Sequence, residues 1–134
     1  MTESIIDCAK NVYARFLGGD IPGFLEMLSD DAEIVCPGNR EHIPWAGTWI
    51  GKQGCGELLG ILDAVVQIEF SEASRFVAES ANTVIVLGAD RVRARKTSLV
   101  HEGHWVHELT FRDGKLQRFV EHYDTDSLAT AIAG

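Results

Sequence analysis

The chain has 134 residues, the usual length of one domain and enough to bury a core without disulfides or metals. Apolar residues make up 46% and charged residues 24% of the chain, a globular balance that argues against disorder, fibres and repeats. Twelve Lys and Arg residues against twenty Asp and Glu residues give a formal net charge of −8, which disfavours binding to nucleic-acid phosphates.

Helices are predicted in the first half of the chain. The first begins after Ser4, whose side chain can cap it, and ends at Gly18-Gly19. Asp20 can cap a second helix, and a third is expected over about residues 53–64. Between the second and third helices the pattern indicates one short strand at residues 33–36.

The second half is predicted to form a sheet. Alternating apolar residues indicate long strands over residues 67–79, 83–95, 98–111 and 115–123. Asp113-Gly114 tolerates the positive φ angles of a tight hairpin, and a short helix capped by Thr125 or Asp126 ends the chain. This order predicts one α+β domain over residues 1–134. We expect a curved, antiparallel or mixed sheet that wraps around the N-terminal helices as a cone with a small-molecule pocket inside.

Other features favour a cytoplasmic protein. No apolar run approaches the roughly 20 residues of a membrane helix. Residues 1–7 lack the basic start and the apolar stretch of a secretion signal. Cys8, Cys36 and Cys55 are widely spaced and form no C-x-x-C motif, so reduced thiols are predicted. We therefore expect no membrane and no nucleic-acid partner.

Several stretches resemble a known superfamily. FLGGD at residues 16–20 and FLEMLSDDAE at residues 24–33 are similar to the opening of nuclear-transport-factor-2-like proteins. WAGTWIG at residues 45–51, and the segments DGKL at 113–116 and EHYD at 121–124, resemble the SnoaL-like and ketosteroid-isomerase-like branches. The resemblance implies a cone-shaped α+β fold, often dimeric through the outer sheet face. It covers isomerases, polyketide cyclases, epoxide hydrolases, dehydratases and non-catalytic binding modules.

The resemblance to ketosteroid isomerases does not carry over their catalytic residues. Counted from the shared motifs, the family's tyrosine falls on Val12, its base on Cys36 and its protonated acid on His107. Tyr13 is one residue away, which turns its side chain by about 100° around a helix. All three groups are replaced, so steroid isomerisation is not implied.

The resemblance to limonene epoxide hydrolases is also incomplete. Their tyrosine and asparagine fall on Ile34 and Cys36. Their arginine falls on Arg91, and its aspartate partner falls on Arg93. Only the water-activating aspartate keeps a carboxyl group, at Glu121.

Strand alternation gives an independent prediction of a polar pair. It places His107 on one face with three apolar residues, Trp105, Leu109 and Phe111. On the next strand it places Glu121 on one face with Phe119 and Tyr123. We expect His107 and Glu121 to be neighbours that either move a proton at neutral pH or form a buried hydrogen bond without catalysis.

Three arginines alternate along one strand, at Arg91, Arg93 and Arg95. They form either a solvated rim or, in the sharper hypothesis, a site in which Arg91 points inward and binds Glu121 or a substrate oxygen. The predicted catalytic residues are therefore Glu121, His107 and Arg91.

Further residues are candidates for binding the substrate. Tyr13 either points its hydroxyl into the cavity or packs between helices, and Cys36 is either an inert filler or a nucleophile. Trp45 and Trp49 either stack on a flat ligand at the pocket mouth or fix their loop to the core. The remaining candidates are the apolar neighbours of the polar pair, Trp105, Phe119 and Tyr123.

No metal or cofactor site is expected. His104 faces away from His101 and His107 on a strand, and those two lie about 20 Å apart at 3.3 Å per residue. The glycines at positions 51, 54, 56 and 60 do not fit the motifs that bind phosphates or dinucleotides.

The sequence leaves three functions open. The first is an isomerase-, cyclase- or hydrolase-like enzyme that acts by acid–base chemistry on a small apolar or amphipathic, oxygenated molecule. The second is a non-catalytic module that binds such a molecule. The third is a dimerisation module, favoured by valines predicted on the outer sheet face, Val84, Val86, Val92, Val106 and Val120.

Overall fold

The computed structural model describes residues 4–134 as four helices and six strands. Residues 1–3, which bear on the predicted absence of a secretion signal, lie outside the described residues. In chain order the elements are α1 (Ile5–Leu17), α2 (Ile21–Glu26), β1 (Leu28–Cys36), β2 (Gly47–Ile50), α3 (Gly51–Val65), β3 (Val66–Ala78), β4 (Thr83–Ala94), β5 (Val100–Arg112), β6 (Lys115–Tyr123) and α4 (Thr125–Ala133).

The strands form one mixed sheet in the order β2-β1-β6-β5-β4-β3. All neighbours are antiparallel except β1 and β6, which run parallel. The sheet is not closed, and the helices pack against its inner face, α1 on β3 and β4, α3 on β1, and α4 on β5. The predicted α+β class with a mixed sheet and N-terminal helices is confirmed.

Local side-chain chemistry sets the ends of α1, α2 and the last hairpin as predicted, but the prediction that Thr125 or Asp126 caps α4 is wrong. The cap is Asp124, whose carboxylate accepts a hydrogen bond from the Ser127 amide. The Ser4 hydroxyl accepts a hydrogen bond from the Asp7 amide at the start of α1, and the Asp20 carboxylate accepts one from the Gly23 amide at the start of α2. Asp113 and Gly114 have φ angles of 52° and 77°, which join β5 to β6 in a tight turn.

Two strands differ from the prediction. β1 begins at Leu28 rather than at residue 33, because it pairs with β6 from Leu116 onward, a long-range contact that local pattern does not carry. The sequence predicts a loop where the structure has β2. The four residues of β2 form a strand only because they pair with β1, which local sequence does not show.

The predicted outer valine stripe is partly wrong. Val84, Val86 and Val92 are buried in the core on the inner face, where they pair with residues of β5 that also face inward. Val106 and Val120 alternate with inward-facing residues of β5 and β6, so they lie half-buried on the outer face.

Among residues 4–134 no helix has the length and apolar character needed to cross a membrane. The predicted cytoplasmic location stays a prediction.

Candidate functional site

A cavity of about 130 Å³ lies between the inner face of the sheet and helices α1 and α3. Most of its wall is apolar. The side chains with ionisable or hydroxyl groups are Tyr13, Cys36, Ser71, Asp90, His101, His107, Glu121 and Tyr123. An apolar hollow with a few convergent polar groups is the usual form of a small-molecule site.

Tyr13, His107 and Glu121 form a chain of hydrogen bonds along the cavity wall. The Tyr13 hydroxyl lies 2.8 Å from Nδ1 of His107, and Nε2 of His107 lies 2.8 Å from Oε2 of Glu121. Strand alternation predicts that His107 and Glu121 are neighbours, and a register shift between Thr110 and Phe111 sets them directly opposite each other. α1 brings Tyr13 to the other side of the imidazole, a contact that spans 94 residues of sequence.

Rings on several sides fix the plane of the His107 imidazole. Its centroid lies 3.9 Å from that of Trp105, with an angle of 12° between the planes, and 4.5 Å from that of Phe119. The Tyr13 ring lies parallel to the imidazole at 5.8 Å. This packing prevents ring rotation, so both nitrogens stay directed at their partners.

The hydrogen-bond chain has a defined direction when Glu121 is ionised. A carboxylate only accepts hydrogen bonds, so Nε2 of His107 donates to Glu121. Nδ1 of the neutral ring then accepts from the Tyr13 hydroxyl. Burial, with the charge of Glu121, raises the pKa of Tyr13 above its ordinary value, which keeps that hydroxyl protonated and able to donate.

Asp90 is a second acidic group in the cavity, and the sequence analysis missed it. It projects from β4 on the inner face, and its side chain is 25% exposed. Burial, together with the nearby charge of Glu121, raises its pKa from 3.8 to about 7. Strand alternation predicts this inward position, because Asp90 lies on the same face of β4 as the buried Val86 and Val92.

His101, for which the sequence predicts no role in a metal site, lies near Asp90. It is buried on β5, with Nδ1 at 2.8 Å from the Ser127 hydroxyl and Nε2 at 3.7 Å from the Asp90 carboxylate, beyond hydrogen-bond distance. Burial lowers its pKa, while the charges of Asp124 and Glu121 act in the opposite direction. The ring therefore favours its neutral form.

Cys36 lines the cavity, but its environment disfavours a nucleophile. Burial raises the pKa of its thiol to about 12, with added contributions from the charge of Glu121 and from Cys55. The thiol therefore stays protonated near neutral pH and adds an apolar surface to the wall.

Arg91 lies outside the cavity, so the hypothesis that it points inward is wrong. Its guanidinium pairs with Glu69 and Glu102 on the outer face, and Arg93 also pairs with Glu69. The physical reason is strand alternation. Arg91 lies between Asp90 and Val92, which face inward, so its own side chain faces outward. Arg95 binds Asp63 near the mouth of the cavity.

The two tryptophans of the loop have different positions. Trp45 is buried in the cavity wall, whereas Trp49 lies on β2 and does not line the cavity. The Trp49 indole donates a hydrogen bond to the Trp45 carbonyl at 2.8 Å, and the Arg40 guanidinium covers its ring. Trp49 therefore holds the loop in place, one of the two roles left open for it.

The cavity opens between the end of α1, the middle of α3 and the start of β3. Its rim includes Leu17 and Ile68, two of the large apolar residues that are exposed. Outside the rim a groove continues along α3 past Gly56 and Gly60. In the part of the chain that the structure describes, no cluster of three or more His, Cys, Asp or Glu side chains could hold a metal ion.

Comparison with known proteins identifies relatives by structure. No family model matches the chain, and a search of curated proteins gives no match. An NTF2-like protein from Burkholderia xenovorans LB400 has 31% identity and a TM-score of 0.83, over 95% of this chain and 94% of that one. TerC co-crystallised with polyporic acid has 27% identity and a TM-score of 0.83, over 96% and 98%. An NTF2-like protein from Burkholderia pseudomallei K96243 has 22% identity and a TM-score of 0.89, over 99% and 100%.

Proposed function

The chain belongs to the NTF2-like family, and from this premise we propose that its cavity binds a small, largely apolar molecule that carries oxygen, and that Glu121 and His107 move a proton on that molecule. The observation that carries the proposal is the hydrogen-bond chain from Tyr13 through His107 to Glu121, which lies in the wall of an otherwise apolar cavity.

Glu121 is the proposed base. Its side chain is 26% exposed in a cavity wall, and the hydrogen bond from His107 occupies one of its oxygens. The second oxygen is available to take a proton from a C–H or O–H group of the ligand. His107 orients the carboxylate through its Nε2–H, and the Tyr13 hydroxyl donates to Nδ1 and so holds the imidazole in the tautomer that makes this hydrogen bond.

Isomerase-, cyclase- and hydrolase-like reactions all need such a proton transfer. In an enolisation, for example, the C–H bond next to a carbonyl breaks, its proton goes to Glu121, and its electron pair forms the enolate. Return of the proton to another carbon gives an isomer, so atoms and charge balance without a cofactor.

Non-catalytic binding is the second candidate. It is favoured by the side chains that replace the steroid-isomerase groups, because Val12 and Cys36 both line the cavity and neither can exchange a proton near neutral pH. The co-crystal of TerC with polyporic acid makes that compound a reasonable first ligand to test.

The test combines turnover with binding. Glu121→Gln and His107→Ala are assayed on a panel of carbonyl and epoxide substrates, and polyporic acid is titrated against each variant. We expect turnover to fall at least about a hundredfold in both variants, the usual contribution of a general base.

A matched control comes from the same two strands. His122 and Glu108 form a second His–Glu pair, 2.7 Å apart, on the outer face of the sheet. Glu108→Gln is expected to leave turnover unchanged. Full activity of Glu121→Gln would contradict the catalytic role, and binding without turnover in the unmodified protein would favour the binding module.

The third part of the proposal is a homodimer through the outer sheet face. Half-buried apolar residues from three neighbouring strands lie together there, Ile85, Leu87, Val106 and Val120. Ion pairs flank this apolar patch, Glu108 with His122 at one side and Arg91 with Glu69 and Glu102 at the other. An apolar centre with a charged border is typical of a protein interface.

A further inference from the structure

Tyr123 carries a buried hydroxyl whose hydrogen-bonding capacity is unused. It is the last residue of β6, its ring contacts that of His101, and it lines the cavity. Its Oη is the one buried side-chain nitrogen or oxygen without a hydrogen-bond partner among residues 4–134. Buried polar groups are nearly always paired, so an unpaired one facing a cavity indicates a group that the protein itself does not supply.

Asp90 faces the same part of the cavity as Tyr123. Its strand neighbour on β5 is Gly103, which has no side chain to separate the two. The proximity is reflected in the pKa of Tyr123, which burial raises and which the charges of Glu121, Cys36 and Asp90 raise further. Nε2 of His101 lies 3.7 Å from the Asp90 carboxylate, which is too distant for a hydrogen bond.

We propose that Tyr123 and Asp90 together bind an oxygen atom of the ligand, which is therefore a carbonyl or hydroxyl compound that enters the cavity with its oxygen first. The inference rests on the proposed function, since it names the ligand class of the same cavity. Tyr123 donates a hydrogen bond to the ligand oxygen. Asp90 either donates a second one to a carbonyl, when protonated, or accepts one from a ligand hydroxyl, when ionised.

The chemistry of the wall argues against other ligand classes. A carboxylate or phosphate would bring negative charge next to Glu121 and Asp90, and no Lys or Arg side chain lines the described cavity to compensate it. A hydrocarbon would leave the Tyr123 hydroxyl unpaired. A neutral oxygen satisfies this hydroxyl without burying a charge.

The test uses two probes of nearly the same shape, 4-methylphenol and 1,4-dimethylbenzene, which differ by a hydroxyl in place of a methyl group. Binding to the full chain is measured by calorimetry and by the shift in melting temperature. We expect the phenol to bind at least about tenfold more tightly, the value of one hydrogen bond to a group that is otherwise unpaired. In Tyr123→Phe this preference should fall to about twofold or less, because the donor is gone.

Stability of the protein without ligand separates this role from a structural one. Tyr123→Phe removes an unpaired hydroxyl, so its melting temperature should equal or exceed that of the unmodified protein. Tyr13→Phe is the matched control, since its hydroxyl is bonded to His107 and its loss should lower the melting temperature. A Tyr123→Phe variant that is destabilised like Tyr13→Phe would overturn the inference.

The other possible binding results also test the oxygen site and the proposed function. Equal binding of the two probes to the unmodified protein would overturn the oxygen site while leaving the cavity as a ligand site. Failure of both probes to bind would overturn the proposed function and this inference with it. Tighter binding of 4-methylbenzylamine than of 4-methylphenol would instead assign the two carboxyl groups to a cationic ligand.

Discussion

At the scale of single residues, Gly88 determines where the Trp105 indole lies, and through it where the His107 imidazole lies. A Cβ atom at Gly88 would be 2.2 Å from Cζ2 of Trp105 and 2.3 Å from the Glu72 carbonyl oxygen. The indole therefore rests directly on the backbone of β4, and the imidazole stacks next to it at 3.9 Å. Gly88, which does not line the cavity, thus sets the position of the proposed proton-transfer group.

Gly88→Ala is expected to destabilise the protein by about 2–3 kcal/mol, the usual cost of overfilling a packed core. One of the two close atoms belongs to the backbone, so the strain cannot be relieved by a rotamer change alone. Urea unfolding measures the effect. Gly60→Ala is the control, because a Cβ at Gly60 meets nothing within 4 Å and alanine favours a helix. Equal unfolding midpoints for the two variants would contradict the prediction.

Asp90 is expected to make stability depend on pH. Its pKa is about 7 in the folded protein against 3.8 for the ordinary side chain, so the folded state keeps a proton that the unfolded state has lost. The contribution of Asp90 to stability therefore falls as pH rises from about 4 to about 7 and does not change above that range. Glu121 faces Asp90 from β6, as does Tyr123, and His101 faces it from β5.

Asp90→Asn should remove this fall, with a gain of about 2 kcal/mol at pH 8 that shrinks toward pH 4. His101 acts with the opposite sign, because its lowered pKa makes the folded state lose stability as the solution becomes acidic. The difference between variant and unmodified protein at each pH isolates Asp90. A difference that does not change between pH 4 and pH 8 would contradict the assignment.

The site was predictable where two neighbouring strands form it. His107 and Glu121 could be predicted as neighbours because a tight turn joins β5 to β6. The register shift between Thr110 and Phe111 that sets them directly opposite each other could not be predicted from the turn. Tyr13 could be assigned a partner only from the packing of α1 across the sheet, which sequence spacing does not determine. Asp90 was predictable from strand alternation alone, since it shares a face of β4 with Val86 and Val92, whereas the adjacent arginines lie on the other face.

At the scale of secondary structure, the long elements were predictable and the short ones were not. The helices and the strands β3 to β6 carry caps, turns and periodic apolar residues within their own sequence. β2 has four residues and exists because it pairs with β1, while the first half of β1 depends on contact with β6. Local patterns describe what a segment favours, whereas these segments are set by distant partners.

Gly60 of helix α3 borders the groove outside the mouth and is exposed, so a larger side chain there is expected to restrict access to the cavity. Gly60→Leu should fill this groove without disturbing the core, since the position has open space. We expect 4-octylphenol, whose chain must leave through the mouth, to bind at least about tenfold more weakly, as expected when a few buried methylene groups lose their contacts. 4-Methylphenol should bind as before.

Gly60→Ala is the matched control, and calorimetric titration measures all the affinities. If Gly60→Leu weakens the binding of both phenols equally, leucine distorts the cavity itself. Unchanged binding of 4-octylphenol would mean that ligands leave the cavity by another route. Either result would contradict the assignment of the mouth.

At the scale of the whole molecule, net charge and the outer sheet face act in opposite directions on self-association. Each chain carries a formal net charge of −8, so two copies repel each other over a distance of about 10 Å at moderate salt. The apolar patch of Ile85, Leu87, Val106 and Val120 supplies the attraction. We therefore expect the proposed homodimer to tighten as salt concentration rises, because ions screen the repulsion while apolar contacts persist.

Val106→Lys is expected to give a monomer, because it places a charge in the middle of this patch, where Val106 pairs with Leu87 on one side and His122 on the other. Sedimentation velocity at low and high salt measures the change, with Thr130→Lys on the exposed face of α4 as a control of equal charge. Binding of 4-methylphenol should be retained, since Val106 faces away from the cavity. A monomeric unmodified protein at both salt concentrations, or a Val106→Lys variant that still dimerises, would reject an interface at this face.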